Sequence, residues 1–511
     1  MIHNSDTANR KNGTVLRYAM ATVLSTVISA SFSARAESWS FTPRLEAQGS
    51  YSDNVTLAAP GQERGDTILE VSPGIAIHGD GARVKMNLDY SWQSLTYLDH
   101  SSDDNSNNML SATANVEAIE NWFYIDATAG ISQQNISAFG PQPVDNINVT
   151  GNRTSVSSYS ISPYIKGVVG SGVAYQLRFN TQVADSGASQ LPRSQTSQWL
   201  GSLQGGTPLS LLNWGVDYNR TSTDYAASTS TETETYRGSL YFRVAPELNL
   251  SVIAGYEKNN YLVGKQSGAT HGIGFQWTPA VTTSLVGERD QRLFGPGYSL
   301  AFKHRMPMSA LDVAFTRDLT TTSTVLFGGL GTTLAQLLAN ALPQPPAGTP
   351  DNRLALATNL LGPSANLVPT LGFLTNQIIL QKRLQASYAL IGARNTLTFA
   401  AFRADSQSVT PGFAATADFA EFATIIQKGL SVTWSHALSA LSSLNTSYAR
   451  TLSAGDGIAG QTSTQNSLIV NLTTKLSPKT NTSFGLRHVV FDGIPNGYHE
   501  NAIYASLVFL F

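Results

Sequence analysis

Cysteine is absent from all 511 residues of the sequence. This absence excludes disulfide bonds, cysteine-based metal sites and attachment of a lipid to cysteine. After residue 36 there is also no run of 18 consecutive apolar residues, so the sequence predicts no membrane-spanning helix. Lysine and glutamate are scarce, whereas Ser, Thr, Asn, Tyr and Gly are frequent, and this composition favours strands over helices.

Motifs that carry chemistry are missing as well. The eight histidines are scattered without an H-E-x-x-H spacing, and no G-x-S-x-G sequence occurs. We therefore predict that the protein is not an enzyme and has no catalytic residue, cofactor or metal site. Gly328 to Gly331 is interpreted as a flexible loop. Asp103 to Asn107 is oxygen-rich, and we interpret it as a solvated loop tip rather than a calcium site at the lipopolysaccharide surface.

The first 36 residues have the features of a secretory signal peptide. A mostly apolar segment from Tyr18 to Phe32 follows three basic residues, namely Arg10, Lys11 and Arg17. Ala34 and Ala36 form a small-x-small cleavage site, so the exported chain would comprise residues 37–511. Removing the signal takes away four basic residues and one acidic residue, which changes the formal net charge from −2 to −5. This mild charge predicts no nucleic-acid partner and no strong field of one sign.

Apolar and polar residues alternate with a period of two along most of the exported chain. The clearest segments are Val84–Gln93, Phe123–Ser132, Val173–Gln182, Leu212–Asn219 and Leu468–Lys475. Such segments of about ten residues cross a bilayer when they are tilted, and without helices they can do so only in a closed barrel. The sequence thus predicts an all-β fold, a transmembrane antiparallel up-and-down β-barrel of about 22 strands, within a range of 16–24.

Short connections containing Gly or Pro alternate with longer polar ones. This rhythm is typical of periplasmic turns and extracellular loops in the outer membrane of Gram-negative bacteria. An even strand number places both chain termini in the periplasm. The first strand is predicted to begin near Phe41, which leaves no room for an N-terminal plug domain and disfavours a gated siderophore transporter.

One connection, from Val325 to Asn376, breaks this rhythm by its length. Leucines at helical spacing and several prolines suggest short helical pieces. By parity it lies on the extracellular side. It either folds over the mouth or into the lumen as a constriction, or it packs on the barrel rim as a partly ordered surface loop.

The densest row of charges on a predicted strand consists of Glu288, Asp290 and Arg292. If these side chains face inward, they either narrow and polarise the lumen or only pair with charges on neighbouring strands. They are the candidate lumen charges.

Residues 501–511 are predicted to be the closing strand of the barrel. Its lipid-facing side would carry every second residue, namely Ile503, Ala505, Leu507, Phe509 and Phe511. The aromatic C-terminus resembles the signal that the barrel-insertion machinery reads. The expected partners are therefore this machinery together with outer-membrane lipid and lipopolysaccharide.

Several stretches resemble the outer-membrane proteins that are associated with the PEP-CTERM/exosortase system of Gram-negative bacteria. These stretches are Tyr51–Val55, Glu70–Ile75, Gly79–Arg83, Ile131–Ser137 with Phe139–Gln142, and Phe373–Leu397, which includes Leu380–Leu384 and Arg394–Leu397. The resemblance implies an outer-membrane barrel linked to exopolysaccharide biosynthesis and protein sorting, and it brings no catalytic residues.

The expected function is a channel with a polar lumen that supports polysaccharide export, with export components as possible partners. The alternatives are a non-conducting structural or assembly barrel of a secretion or sorting complex, and a general diffusion porin.

Overall fold

The computed structural model describes residues 38–321 except 171, 189–192, 227–229 and 263–265. It also describes 377–511 except 410–416, 457–460 and 494–495, and the short pieces 335, 338–339, 353–354, 357–358 and 373–375. The predicted signal peptide with Ala34 and Ala36, and most of the predicted loop at 325–376, lie outside the described residues. In the described part, no helix is both long and apolar enough to cross a membrane.

Twenty-two antiparallel strands form a single closed sheet, which confirms the predicted barrel and its strand number. The strands are β1 Ser38–Ser52, β2 Asp66–Asp80, β3 Val84–Tyr97, β4 Asn105–Ile119, β5 Phe123–Asn135, β6 Arg153–Val169, β7 Val173–Ser186, β8 Ser194–Gly206, β9 Leu212–Tyr225, β10 Thr231–Ala245, β11 Leu248–Asn259, β12 Ser267–Ala280, β13 Thr283–Arg292, β14 Gly295–Met306, β15 Ser309–Thr320, β16 Ile379–Ile391, β17 Asn395–Ser408, β18 Thr424–Ala437, β19 Ser442–Gly455, β20 Thr462–Ser477, β21 Thr480–Asp492 and β22 Tyr498–Leu510. Each strand pairs with its sequence neighbours, so the topology is up-and-down.

The barrel closes between its first and last strands. The register runs from Arg44 opposite Leu510 to Ser52 opposite Ala502. The backbone N–H of Phe511 donates to the carbonyl of Pro43 at 2.9 Å, which extends the seam by one residue. Since each of the twenty-two described strands then has two partners, this sheet has no unpaired edge.

The two ends of the barrel differ in their connections. At the end that carries both termini, the short-turn end, the connections have two to five residues. Positive φ angles at Asn121, Gly170 and Gly172 permit two of these tight turns. At the opposite end, the long-loop end, most connections are longer, although β13 and β14 are joined by only residues 293–294.

Because apolar and polar side chains alternate along the strands, the barrel has an apolar outer surface. Large apolar side chains that face outward are exposed on strands around the circumference, including Leu177, Leu240, Val252, Ile273, Leu430, Leu486 and Ile503. Five of the seven tryptophans, Trp39, Trp122, Trp214, Trp277 and Trp434, lie in or within four residues of the short-turn end. Such a band with an aromatic edge is the surface that lipid requires. Tyr97, at the long-loop end of β3, is buried inside the barrel and does not belong to this outer band.

Candidate functional site

The loop between β5 and β6, residues 136–152, folds into the lumen; we call it the inner loop. Its Asn146 side chain donates to Gln93 Oε1 at 2.6 Å. Gln93 lies four residues inside the end of β3, which is roughly 13 Å along a strand. Nearer the mouth, the Tyr97 hydroxyl donates to the carbonyl of Ile147 at 2.7 Å. The inner loop therefore lies against the inner wall, well below the rim.

Apolar residues of the inner wall and of the connection between β1 and β2 receive the inner loop. One cluster holds Ile147 against the wall with Val149 at its edge, and its other members are Val55, Ile68, Leu95 and Tyr97. A second cluster receives Val144 and consists of Leu57, Val489, Phe491 and Tyr498. Near the long-loop end, the strands that contact the inner loop therefore carry apolar side chains on both the outer and the inner face. The apolar side chains on the inner face are tolerated because the inner loop covers them.

A buried ion cluster fixes the deepest part of the inner loop. The two terminal nitrogens of Arg487 lie 2.8 Å from Asp145 and 2.7 Å from Glu500. The side chains of Arg487 and Glu500 are only 3% and 1% exposed. Asn148 and Ser52 also donate to Glu500, at 2.6 and 2.8 Å. These contacts join the loop to β21, β22 and the end of β1, and we call the three charged residues the loop anchor.

The mouth of the barrel is crossed by a contact between the start of the inner loop and the short helix α1, Ala417–Glu421. The Ser137 hydroxyl and the Ala138 backbone N–H donate to the two oxygens of Asp418 at 2.6 and 2.7 Å. The rings of Phe139 and Phe422 lie 4.9 Å apart between centroids. This mouth bridge joins the end of β5 to the segment before β18, which lies far around the barrel.

Burial raises the pKa of the Asp418 carboxyl, and the hydrogen bonds from Ser137 and Ala138 offset only part of this effect. The packed side chains around it explain the burial. They form an apolar cluster of Ala138, Phe139, Ile379, Phe419, Phe422 and Ile425, with Phe373 against it. The bridge is thus a small core of its own inside the mouth.

The three candidate lumen charges lie on the inner face of β13 and are paired. Glu288 lies 2.5 Å from Arg237 of β10. Arg292 lies 3.2 Å from Glu257, 3.0 Å from Asp318 and 4.0 Å from Asp290. Together with Asp217, these residues form an inward-facing charged group on β9–β15 that holds five carboxylates and two arginines.

A second charged group lies on the opposite wall, on β1–β3, β21 and β22, and includes the loop anchor. Its carboxylates are Glu46, Glu70, Asp89, Asp145 and Glu500, and its arginines are Arg44, which pairs with Asp89, and Arg487. Arg153 and Arg383 also lie at this level of the lumen. When they are counted with the arginines of both charged groups, the carboxylates still outnumber the arginines. Nearer the short-turn end, the inner wall is basic instead: Lys85, Lys166, Arg178, Arg243, Lys303, Arg305 and Lys475 outnumber Asp80, Glu117, Asp126 and Asp312.

The residues of the predicted closing strand lie in β22, which begins three residues earlier than expected, at Tyr498. Ile503 and Phe509 are outward-facing and exposed, as is the terminal Phe511. Ala505 and Leu507 share their face by register. The intervening Ala502 and Ser506 are buried on the inner side.

Solved structures with a similar barrel include the siderophore receptor PirA from Acinetobacter baumannii, the FrpB iron transporter from Neisseria meningitidis and OpdO from Pseudomonas aeruginosa. Their sequence identities to this chain are 9%, 8% and 10%, and their TM-scores are 0.46, 0.47 and 0.31. Each match covers 92% of this chain and, respectively, 80%, 81% and 97% of the other. No family model and no curated protein matches the chain. These likenesses concern the outer-membrane barrel fold and assign no ligand.

Proposed function

We propose that the protein is a passive outer-membrane channel for small hydrophilic solutes, narrowed by the inner loop and favouring cations. In the proposed orientation, the long-loop end faces the cell exterior and both termini face the periplasm. The observation that carries the proposal is a closed barrel whose inner wall is polar, with an ordered loop folded inside it. This arrangement favours the diffusion channel over the expected polysaccharide-export channel.

Inward-facing polar side chains are exposed over much of the wall. On β3 and β4 they include Lys85, Asn87, Ser111, Thr113 and Asn115, and on β10, β12 and β14 they include Arg243, Gln276 and Lys303. Polar groups of this kind keep a lumen hydrated, because each can hydrogen-bond to water. A hydrated lumen that is narrowed by an inward-folded loop fits a diffusion channel.

The excess of carboxylates on both walls at the level of the inner loop predicts cation preference. In planar bilayers under a KCl gradient, we expect the reversal potential to show a K⁺ over Cl⁻ permeability ratio on the order of three. The variant E288Q/D290N/D318N removes three of these carboxylates and should bring the ratio close to one. Single-channel recording of the full chain measures both quantities.

The matched control is D185N/E232Q/E234Q, which removes three carboxylates from the outer face and should leave the ratio unchanged. A wild-type barrel without conductance would contradict the channel and favour the structural or assembly barrel. A conducting wild-type barrel with a ratio close to one would contradict the cation preference alone. A ratio that is unchanged in E288Q/D290N/D318N would show that these three carboxylates do not set the preference.

A second candidate is a role in exopolysaccharide secretion within a PEP-CTERM/exosortase system. The resemblance of Tyr51–Val55, Glu70–Ile75 and the other quoted stretches supports it. A strain that lacks the gene should then secrete at least about tenfold less polysaccharide, as measured by sugar analysis of the culture supernatant. Normal secretion by that strain, with the other secretion genes intact, would argue against this candidate.

A further inference from the structure

Charges on the outer face of the barrel are confined to one level. Along the described strands, every outward-facing Asp, Glu, Lys or Arg lies in the half nearer the long-loop end. On β9–β11 the two signs nearly cancel, because Arg220 and Lys258 face outward together with Asp224, Glu232 and Glu234. Arg220 lies 2.7 Å from Glu232, and Lys258 lies 3.7 Å from Glu234. This side of the barrel therefore presents little net charge at that level.

The other side presents an excess of positive charge. Six basic residues on β13–β19 face outward at this level, and we call them the basic belt: Arg289, Arg317, Lys382, Arg403, Lys428 and Arg450. One carboxylate on these strands, Asp405, faces the same way and pairs with Arg403 at 2.9 Å. Within the described residues, no carboxylate forms an ion pair with Lys382, Lys428 or Arg450.

Two pairs in the basic belt place like charges directly opposite each other on neighbouring strands. Arg317 is the register partner of Lys382, and Arg403 is the register partner of Lys428. Like charges in such positions destabilise a sheet. Repulsion of this kind is relieved when an anion lies between the charges, so the belt has the features of a surface that binds multivalent anions.

The position of the basic belt along the barrel axis shows which layer of the membrane surrounds it. Below Arg317, Lys382, Arg403, Lys428 and Arg450, eight or nine residues of each strand remain before the short-turn end. A tilted strand needs about nine to eleven residues to cross the hydrocarbon layer. Next on the outward face below Arg317, Lys382 and Lys428 come Phe315, Leu384 and Leu430. The belt thus lies where the hydrocarbon ends and the lipid headgroups begin.

We propose that the basic belt binds the phosphate groups of lipid A, the diphosphorylated anchor of lipopolysaccharide. This inference rests on the proposed orientation, which places the long-loop end in the outer leaflet. Guanidinium and ammonium groups spaced along neighbouring strands can contact two phosphates of one lipid at once. The balanced charges of β9–β11 have no such excess, so the lipid binds on one side of the barrel only.

The test compares two charge-matched variants of the full chain in detergent micelles. K428Q/R450Q removes one lysine and one arginine from the basic belt, and K258Q/R220Q removes the same two residue types from the balanced side. Titration with diphosphoryl lipid A should show binding to K428Q/R450Q weakened by about tenfold or more. K258Q/R220Q should bind within about twofold of wild type.

Two further measurements test whether each variant is folded and whether the second phosphate of lipid A contributes to binding. Heat-modifiable migration on gels shows whether each variant is a folded barrel. Wild-type protein should bind monophosphoryl lipid A several-fold more weakly than diphosphoryl lipid A, independently of any variant. Equal binding by K428Q/R450Q and wild type, or equal losses in both variants, would overturn the proposal. Single-channel conductance, expected to be unchanged in K428Q/R450Q, tests the channel separately, so the two ideas can fail independently.

Discussion

Replacing residues 137–151 with a short Gly-Ser linker is expected to raise single-channel conductance on the order of twofold or more, because this segment occupies the lumen. The inner loop contacts the wall from Gln93 of β3 round to Ser463 of β20, and its first residues form the mouth bridge with Asp418. Its removal widens the path at both levels. Conductance in planar bilayers at fixed salt concentration measures the change.

The control replaces residues 207–211, the exposed turn between β8 and β9, with the same linker. Leu209 and Leu211 in this turn are exposed outside the lumen at the short-turn end, so conductance should stay at the wild-type value. Removal of the inner loop also exposes apolar wall residues such as Ile68 and Phe491 to water. The variant without the inner loop should therefore have a lower melting temperature than the control variant. An unchanged conductance in the shortened variant would show that the inner loop is not the constriction.

The strands could be predicted from the sequence because successive side chains of each strand face lipid and water in turn. In β3, Met86, Leu88 and Tyr90 face lipid, whereas Lys85 and Asn87 face the lumen. This period of two repeats in strand after strand, and Gly or Asn at positive φ marks some of the turns between them. Both signals are local, so the strand count and closure follow from the sequence alone.

The inner loop, which we propose to be the constriction, could not be predicted from such a local pattern. Length and leucine content favoured residues 325–376 as a constriction, but most of that segment lies outside the described residues. In the part of the chain that the structure describes, the loop that folds into the barrel is the polar segment 136–152. Its position depends on contacts between residues hundreds of positions apart, such as Asp145 with Arg487. A faint signal does exist in β21, where Val489, Val490 and Phe491 are consecutive apolar residues and break the alternation. Such a break near the long-loop end indicates that something covers the inner wall.

Substituting Arg487 with methionine is expected to release the inner loop from the wall. Arg487 pairs with both Asp145 and Glu500 in a buried site, and loss of one partner from a buried ion cluster typically costs about 3–5 kcal/mol. The backbone pairing of the barrel remains, so R487M should still show heat-modifiable migration. We expect protease cleavage within residues 136–152, and single-channel currents that fluctuate more than those of wild type.

Two companion variants separate charge from packing. The triple variant R487M/D145N/E500Q leaves no unpaired charge in the anchor, so the loop should regain most of its protection from protease. R83M breaks the exposed pair with Glu120, whose side chains are 58% and 70% exposed, and should behave like wild type. If R487M alone resisted protease as wild type does, the apolar clusters around Ile147 and Val144 would be sufficient to hold the loop. The buried charges would then serve the polarity of the lumen rather than the position of its constriction.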